Sequence, residues 1–424
     1  MTQNFKRVKR ACYMASFTMS ICGNISPLLF LTFRNLYDIS YSLLGFLVLV
    51  NFFTQLIVDL IFSFFSRKLD SKLAVKLTPV IAGIGLAVFA LWPHFFPEYA
   101  FLGILVGTVI FSAASGLAEV LLSPVIAAMP AENPEREMSK LHSIYAWGVV
   151  GVVAISTLFL FLFGAEYWYL LIMLLVLIPL SSAVLFIGTE LPDLDSHEKA
   201  SATENIFKKP ILWVCVLAIF LGGAAECTMA QWASGYIEES LGIPKIWGDI
   251  CGVALFSLTL GIGRSLYAKC GRQIEKFLLM GGIGAAICYL VAAISPIPVV
   301  GLLACGFTGF FTSMMWPGSL IAVAERIPAG GVVMYAMMAS GGDLGASVAP
   351  QLVGVVTDGV AASQSLSAFA LDLGITPEQL GMKIGMLIGM IFPLIAVFVY
   401  TYLLRERRRR EEKSKSLNTH TKRS

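Results

Sequence analysis

Carboxylic acids interrupt several segments of this chain that are otherwise apolar and long enough to cross a bilayer. Glu119 lies within residues 104–129, and Glu226, Asp343 and Asp59 lie in three other apolar segments. An ionised side chain at the middle of a bilayer costs at least roughly 2.5 kcal/mol, so a membrane protein that keeps one usually has a use or a partner for it. These residues therefore predict either proton binding or ion pairing inside the membrane.

Proton coupling is the first explanation for these acids. A low dielectric disfavours the charged form of a carboxyl group, so Glu119, Glu226 and Asp343 could bind a proton and release it as a cavity opens to each side. Asp59 lies nearest the predicted cytoplasmic end of its segment, where a gating or anchoring role is equally open. The second explanation is a permanent structural ion pair, for which Arg264 is the candidate cation unless its side chain extends to the membrane surface instead.

Polar residues recur at helical spacing in the segments that carry these acids. Residues three or four positions apart share one face of a helix, so each set forms a polar stripe on an otherwise apolar helix. The stripes are Asn51, Gln55 and Asp59; Ser112, Ser115, Gly116, Glu119 and Ser123; and Ser340, Asp343, Ser347 and Gln351. Such stripes face protein or water rather than lipid, and we expect the three helices to border one shared interior.

Polar and aromatic side chains in the same segments are the candidates for contacting a solute. They are Asn24, Gln55, His142, Tyr145, Gln231, Trp232 and Trp316. His142 could bind a solute, relay protons or cap a neighbouring helix. Trp316 could stack on a sugar ring or simply pack in the protein interior.

Gln231 and Trp232 do not share a helix face with Glu226. Either these two side chains point away from Glu226, or the helix is broken after the glycine pair at residues 222–223, as occurs at transporter binding sites. The sequence leaves both alternatives open.

Composition identifies the surroundings in which these residues act. Hydrophobic residues make up 57% of the 424 residues, charged residues make up 13%, and the mean hydropathy is +0.80. A soluble domain with a polar surface could not sustain these values, so the chain is predicted to be an all-α, multi-pass membrane protein. Segments of about 20 apolar residues predict twelve membrane spans, at 8–33, 39–65, 73–93, 98–129, 137–164, 167–189, 211–239, 247–268, 277–295, 297–324, 331–357 and 380–404.

Lysine and arginine predict the orientation of the spans. With both termini cytoplasmic, nearly all of the 30 basic residues fall on the cytoplasmic side, and only Arg34, Lys245 and Lys383 fall outside. This asymmetry is the pattern expected of a membrane protein. The net charge of +3 thus follows from topology, and we expect no nucleic-acid partner.

The eight cysteines form no CxxC pairs, so neither a disulfide framework nor a metal site is indicated.

The chain divides into two similar halves. Residues 1–190 and 211–405 are each predicted to form a six-helix bundle, with a polar cytoplasmic linker at 191–210 and a basic cytoplasmic tail at 406–424. Pro124 and Gly148 are 24 positions apart, as are Pro317 and Gly341 in the corresponding spans. Two pseudo-symmetric bundles are typical of secondary transporters.

Before the last span, residues 376–379 (Thr-Pro-Glu-Gln) predict a capping box.

Several segments resemble the fucose:proton symporter family of the major facilitator superfamily. They are GLAEVLLSPVIAAMP (116–130), KLHSIYAWG (140–148), GGAAECTMAQWASGY (222–236), MMWPGSLIA (314–322) and ASGGDLGASVAP (339–350). The resemblance implies the major facilitator fold and a proton-driven symporter of a sugar or a sugar-like solute, with Glu119 as the residue that is protonated.

The chain also departs from that family's pattern. The acid of the family's first span is absent, and Pro27 stands in its place with Asn24 as the nearby polar side chain. Asp59 and Asp343 stand where the family usually lacks an acid. If protons are coupled here, Glu119 is expected to act with Asp59, Glu226 or Asp343.

The sequence as a whole predicts a secondary active transporter that moves a small polar solute, a sugar in the leading interpretation, by alternating access coupled to protons. Proton-antiport efflux of drugs or metabolites is the alternative, followed by a non-transporting receptor or structural protein. No enzymatic arrangement is indicated, and no cofactor is expected beyond the proton as coupling ion. We expect a monomer in a cell membrane, of bacterial origin, whose partners are its solute and the lipid bilayer.

Overall fold

The computed structural model describes residues 3–65, 70–130, 134–192, 206–270, 273–327 and 331–421, and these are almost entirely helical. The helices of the first half are α1 (Gln3–Leu28), α2 (Phe30–Tyr37), α3 (Tyr41–Phe65), α4 (Ser71–Phe95), α5 (Ala100–Ala127), α6 (Pro134–Phe163), α7 (Trp168–Leu175) and α8 (Leu177–Phe186). Those of the second half are α9 (Pro210–Leu241), α10 (Lys245–Trp247), α11 (Leu255–Cys270), α12 (Ile274–Ile294), α13 (Pro298–Thr312), α14 (Met315–Arg326), α15 (Gly331–Ala362), α16 (Gln364–Asp372) and α17 (Pro377–Thr421). A π-helical segment, Gly248–Ala254, joins α10 to α11.

Helices occupy the positions of the predicted membrane spans. Within the described ranges, nine helical segments are long and apolar enough to cross a membrane, and the bent pair α1 and α2 makes a tenth. Shorter apolar stretches, Trp147–Phe163 and Gly252–Tyr267, correspond to the predicted fifth and eighth spans. The all-helical, multi-pass architecture predicted from composition is confirmed.

Pro27 accounts for the bend in the first span. Helix α1 ends at Leu28, and α2 leaves at an angle of 49°. Proline has no backbone N–H, so it cannot donate to the carbonyl four residues earlier, and its ring pushes that carbonyl aside. The carbonyl of Gly23 is therefore free to accept a hydrogen bond from another helix.

Different side chains hold the core of each half together. In the first half, the Trp168 ring packs edge-on against Phe33 and Phe89, and its indole N–H donates to the Tyr37 hydroxyl over 3.2 Å. In the second half, the hydroxyls of Tyr289 and Tyr400 donate to backbone carbonyls of α9, at 2.7 and 3.3 Å. Such partners let a ring stay buried without leaving its polar tip unpaired.

The repeated glycines lie at equivalent helix contacts in the two halves. A side chain at Gly148 of α6 would collide with Ser20 of α1. A side chain at Gly341 of α15 would meet Val216 of α9 at 2.8 Å. In each half the fifth helix thus packs closely on the first, because a small residue lets the two backbones approach. This correspondence is the pseudo-symmetry that the spacing predicted.

Helices α3 and α15 join the two halves along an antiparallel contact. The Asp358 carboxylate of α15 accepts hydrogen bonds from the backbone N–H groups of Tyr41 (3.2 Å) and Ser42 (2.6 Å) at the start of α3. The first N–H groups of a helix lack partners within the helix and carry partial positive charge, so a carboxylate stabilises them. Gln351 of α15 donates to the Ser42 carbonyl over 3.2 Å. We call this set of hydrogen bonds the Asp358 cap.

The predicted linker at 191–210 and the predicted tail from 406 can be compared with the described residues. Residues 193–205 of the predicted linker lie outside the described residues. Helix α17 continues to Thr421, through the predicted start of the tail at 406. Its Arg407 pairs at 2.7 Å with Glu275, a fully buried acid that Arg326 also contacts at 3.0 Å. A buried carboxylate needs cations around it, and this need keeps the first residues after the predicted boundary packed against the second half.

The capping box before α17 is confirmed. Thr376 accepts from the backbone N–H of Gln379 through its hydroxyl oxygen, and the Gln379 side chain accepts from the backbone N–H of Thr376, both over 3.1 Å.

We expect Asp358→Ala to weaken the contact between the halves at this end. Losing a helix cap costs about 1 kcal/mol, or about fivefold in the ratio of joined to separated halves. Paired spin labels at Glu98→Cys and Pro296→Cys, in a background without native cysteines, would report this as a longer-distance population. The matched control is Glu378→Gln, which breaks only a partly exposed pair with Arg34 at 3.8 Å and is expected to change little. Equal effects of the two variants would contradict the assignment.

Candidate functional site

Tyr145 of α6 lies where side chains of the two halves meet, and we call the space around it the chamber. The Tyr145 hydroxyl lies beside Gly23 of α1, 3.5 Å from where a Cβ atom would sit. The ring is within electrostatic range of Glu119 from the first half and of Glu226 and Arg264 from the second. Tyr145 is 38% exposed although groups from both halves lie around it. It therefore forms part of the wall of an internal cavity rather than of the lipid-facing surface.

Glu119 lies on the same wall. Its side chain is exposed and lies within electrostatic range of Tyr145. The face of α5 that carries it packs on α3: Ser112 donates to the Asn51 side chain, and Gly116 lies against the backbone of Gln55. The predicted polar stripe thus has two roles. Its outer part fixes α5 on α3, and Glu119 reaches the chamber.

Gln55 belongs to the fixed part of this stripe. It is buried, and its amide donates to the Asn51 side chain over 3.3 Å, one turn earlier on α3. The structure therefore places this predicted solute contact in the packing between α3 and α5, beside the chamber wall.

Asp59 and Asp343 meet across the boundary between the halves. Asp59 extends from α3 and Asp343 from α15, and their carboxyl groups face each other within interaction range. Both residues are 3% exposed. Glu119 is the next acid in electrostatic range of both. The structure thus brings three of the four predicted acids together.

Glu226 lies apart from that group and faces a cation. Arg264 of α11 donates to one of its carboxylate oxygens over 3.3 Å. The Arg264 Nε also donates to the Ser313 carbonyl over 3.1 Å. Ser313 is four residues before Pro317, so its carbonyl has no N–H partner in its own helix. This geometry favours the ion-pair explanation for Glu226 and identifies Arg264 as its partner.

Sequence reasoning missed the backbone carbonyls that proline residues leave without a helical partner. Arg264 could be named from the sequence as a possible partner of an acid, but not paired with Glu226 in particular. The signal for this pairing was Pro317, because it leaves the Ser313 carbonyl, one turn earlier, free to accept from Arg264. Pro27 was likewise noted only as a replacement for an acid.

Helix α9 is continuous through residues 222–223, so the alternative of a broken helix is wrong. Gln231 and Trp232 instead lie further along the helix and contact other elements. Gln231 donates over 3.3 Å to the Gly23 carbonyl, which Pro27 leaves free in the first half. Trp232 is 1% exposed, donates over 2.9 Å to the Pro350 carbonyl, and packs against Phe30.

The remaining candidates differ in their access to the chamber. Asn24 is half-buried, and its amide donates to the Ser20 carbonyl of its own helix over 2.9 Å. Trp316 is half-buried, and a methyl group at Gly223 or Gly342 would overlap its ring. Its indole therefore fills the space that glycines leave on α9 and α15. The side chain of His142 lies outside the described part of the chain.

Carboxyl, hydroxyl and guanidinium groups supply the polar chemistry of the site. Among the described residues, no group of three or more His, Cys, Asp or Glu side chains is arranged to hold a metal. The chamber instead combines carboxyl groups, a phenol hydroxyl and one guanidinium group, drawn from both halves of the chain.

Comparison with known families decides the class of protein. The sequence profile of the Major Facilitator Superfamily matches residues 11–350. The chain belongs to the major facilitator superfamily. It is therefore a membrane transporter of small molecules rather than an enzyme.

Solved structures share the fold of this transporter at low sequence identity. The D-xylose-proton symporter matches with a TM-score of 0.71 at 14% identity, covering 92% of this chain and 97% of that chain. A bacterial homologue of the human lysosomal transporter Spinster gives 0.69 at 13%, covering 96% and 98%. The E. coli fucose:proton symporter gives 0.56 at 17%, covering 92% and 98%. A search of curated protein sequences gave no significant match. The family resemblance predicted from the motifs is confirmed.

We expect Arg264→Gln to destabilise the transporter, because Glu226 would lose its cation inside the membrane. The double variant Arg264→Gln, Glu226→Gln should recover part of the loss, since neither group then carries a charge. Arg264 is partly exposed, with 44% of its side chain accessible, so a coupling of about 1 kcal/mol is expected. Thermal unfolding in detergent of the four proteins of this cycle measures it. Strictly additive losses would show that the two side chains do not interact.

Proposed function

We propose that this transporter moves a small polar solute, a sugar in the first instance, together with protons, and that Glu119 binds the transported proton. The observation that carries the proposal is the position of Glu119. Its carboxyl group borders the chamber, is exposed, and forms no ion pair within the described part of the chain. A proton can neutralise it there, and water can receive that proton.

Alternating access explains how a carboxyl group at the position of Glu119 can couple proton movement to solute movement. The two halves of a transporter of this type move relative to each other, so that a central site faces one side of the membrane at a time. A carboxyl group on the chamber wall is then exposed to one aqueous phase before the other. Proton binding on the acidic side and release on the other couples solute movement to the proton gradient.

The chamber suits a neutral polar solute. The hydroxyl of Tyr145 lies within electrostatic range of Glu119 and beside Gly23, the residue before Asn24. A protonated Glu119 adds a donor. Hydroxyl-rich solutes match several donors and acceptors at once. The names of two structural neighbours, the D-xylose-proton symporter and the fucose:proton symporter, support a sugar and a proton as the first pair to test.

Proton antiport of hydrophobic cations is the second candidate. It is favoured by the grouping of Glu119, Asp59 and Asp343, three acids that face one another while Arg264 is engaged by Glu226. An acidic chamber attracts cations, and exchange of a cation for protons uses the same groups.

The proposal includes the setting of the protein. We place it in a bacterial cell membrane as a monomer with both termini in the cytoplasm, and we assign it no nucleic-acid partner and no coupling ion other than the proton. The distribution of Lys and Arg supports this orientation. Large apolar side chains that are exposed on the helices support contact with lipid.

We expect Glu119→Gln to abolish uptake driven by a pH gradient while solute exchange at equal pH continues. Glutamine keeps the shape and hydrogen bonding of protonated glutamate but cannot release a proton. A thermal-shift screen of monosaccharides that includes fucose and D-xylose, at two pH values, first supplies a ligand. Proteoliposomes loaded to impose a pH gradient then measure radiolabelled uptake, which should fall at least about tenfold.

Glu378→Gln serves as the control, because Glu378 lies far from the chamber at the start of α17 and should keep wild-type uptake. Uphill uptake that survives in Glu119→Gln would refute the assignment of the proton to Glu119. Proton-driven extrusion of tetraphenylphosphonium, without sugar uptake, would instead establish the antiport function.

A further inference from the structure

Helices α3 and α15 remain in contact well below the Asp358 cap. Residues 41–45 of α3 lie against residues 351–358 of α15, where Gly45 approaches the Gln351 backbone to 3.1 Å. Fourteen residues further along α3, Asp59 meets Asp343. A helix rises about 1.5 Å per residue, so this contact lies roughly 20 Å deeper in the membrane. The two acids are thus the deep end of a continuous contact between the halves.

Asp343 is held firmly on its own side of this boundary. The next glycine on α15, Gly345, lies directly against the Phe220 backbone of α9, and Gly342 receives the ring of Trp316. Asp59 is held by the packing of α3 on α5. Each acid therefore moves with its own half, and the distance between them reports how the halves are placed.

The pair lacks other partners that could stabilise two negative charges. The Asp59 Oδ1 and Asp343 Oδ2 atoms are buried without a hydrogen-bond partner, and each residue is 97% buried. The titratable groups that face the pair are Glu119 of α5 and, beside Asp343, Cys227 of α9. Neither brings positive charge. No cation is among the described groups that act on the pair, and Arg264 is engaged by Glu226.

Two carboxylates cannot hydrogen bond to each other unless one of them carries a proton, because both are acceptors when ionised. With one proton the pair has a single negative charge and one O–H···O bond. Without it, two negative charges face each other in a low dielectric, which is strongly unfavourable. Two facing carboxyl groups, both buried and each with an unpartnered oxygen, are the arrangement that one shared proton would stabilise.

We propose that Asp59 and Asp343 form a single proton site shared between the two halves, which is filled while α3 and α15 are in contact at this depth and emptied when they separate. On closure, one proton from water binds one carboxylate and donates to the other. On separation, each carboxylate is hydrated and that proton returns to water. The site thus ties the proton to the movement of the halves, whereas Glu119 ties it to the solute. The inference deepens the proposed function, since it names a second proton site within the same mechanism.

The sign of the pH effect follows from this balance. The joined state binds one proton more than the separated state, so lower pH favours contact and higher pH favours separation. The ratio of the two states changes by up to about tenfold per pH unit when one proton is exchanged.

Spin labels at the cytoplasmic ends of the halves measure this ratio. We use Ser71→Cys at the start of α4 and Lys276→Cys near the start of α12, both at least partly exposed, in the full chain without native cysteines. The wild-type residues at 59 and 343 should give a distance distribution that shifts toward separation as pH rises. No solute is needed, so the result does not depend on knowing the substrate.

Asparagine at either position removes the shared proton but keeps the hydrogen bond, because the amide donates to the remaining carboxylate. Asp59→Asn and Asp343→Asn should each stay joined across the pH range and lose the slope of about tenfold per unit. The double variant should also lose it, through an amide-to-amide hydrogen bond. Glu119→Gln should keep a one-proton slope, because it leaves the pair intact.

The inference is overturned if the pH dependence persists in Asp59→Asn or Asp343→Asn, or if the protein with both acids shows none. These outcomes are distinct from failure of the proposed function. Loss of proton-driven uptake in Glu119→Gln, with its distance slope kept, would support separate roles for the two sites. Uptake that survives in Glu119→Gln while the Asn variants lose the slope would refute the role of Glu119 alone.

Discussion

The hydrocarbon interior of a bilayer contains no water to satisfy polar groups, and this constraint governs each unusual contact in the transporter. A carbonyl, an N–H group or a charge that lies inside the membrane must find its partner within the protein. Pro27 and Pro317 each leave one carbonyl without its helical partner. Those carbonyls are taken by Gln231 and Arg264. The same requirement at the first turn of α3 is met by Asp358. Polar contacts between helices therefore arise where the local helix leaves a group unpaired.

The acids of the chamber satisfy this constraint in two different ways. Glu226 is balanced by a fixed cation, and an ion pair of this kind holds the helices of one half together. Asp59 and Asp343 have no cation beside them among the described residues, so a proton is what can balance their charge. The first arrangement is permanent, while the second depends on pH and on the distance between the halves. A transporter needs both kinds, because one bundle must stay rigid while the boundary between the bundles opens and closes.

The pseudo-symmetry of the fold explains where movement is possible. Gly148 and Gly341 produce close helix packing at the same place in each half, which makes each half a compact unit. Contacts between the halves include the Asp358 cap, a carboxyl pair and single side-chain hydrogen bonds, beside apolar packing such as that of Phe30 on Trp232. The polar contacts among them can be exchanged for water, so they cost less to break than buried apolar packing. The aromatic cluster around Trp168 acts in the same direction within the first half, as do Tyr289 and Tyr400, whose hydroxyls donate to α9, within the second.

The sequence by itself determined the class of the protein and the order of its helices. The class and the helix order follow from hydropathy, from the positions of Lys and Arg, and from local signals such as the capping box before α17. Each of these depends on residues close together in the sequence, so it can be predicted without the fold. The stripes on α3, α5 and α15 likewise indicated which faces turn inward. Only the tertiary structure decided which acid meets which partner. Asp59 and Asp343 are separated by most of the chain, and Glu226 and Arg264 lie on different helices, so spacing carries no information about their distance. Pairing depends on how α3 crosses α15 and on which carbonyl a proline leaves free, and both are properties of packed helices rather than of a single one.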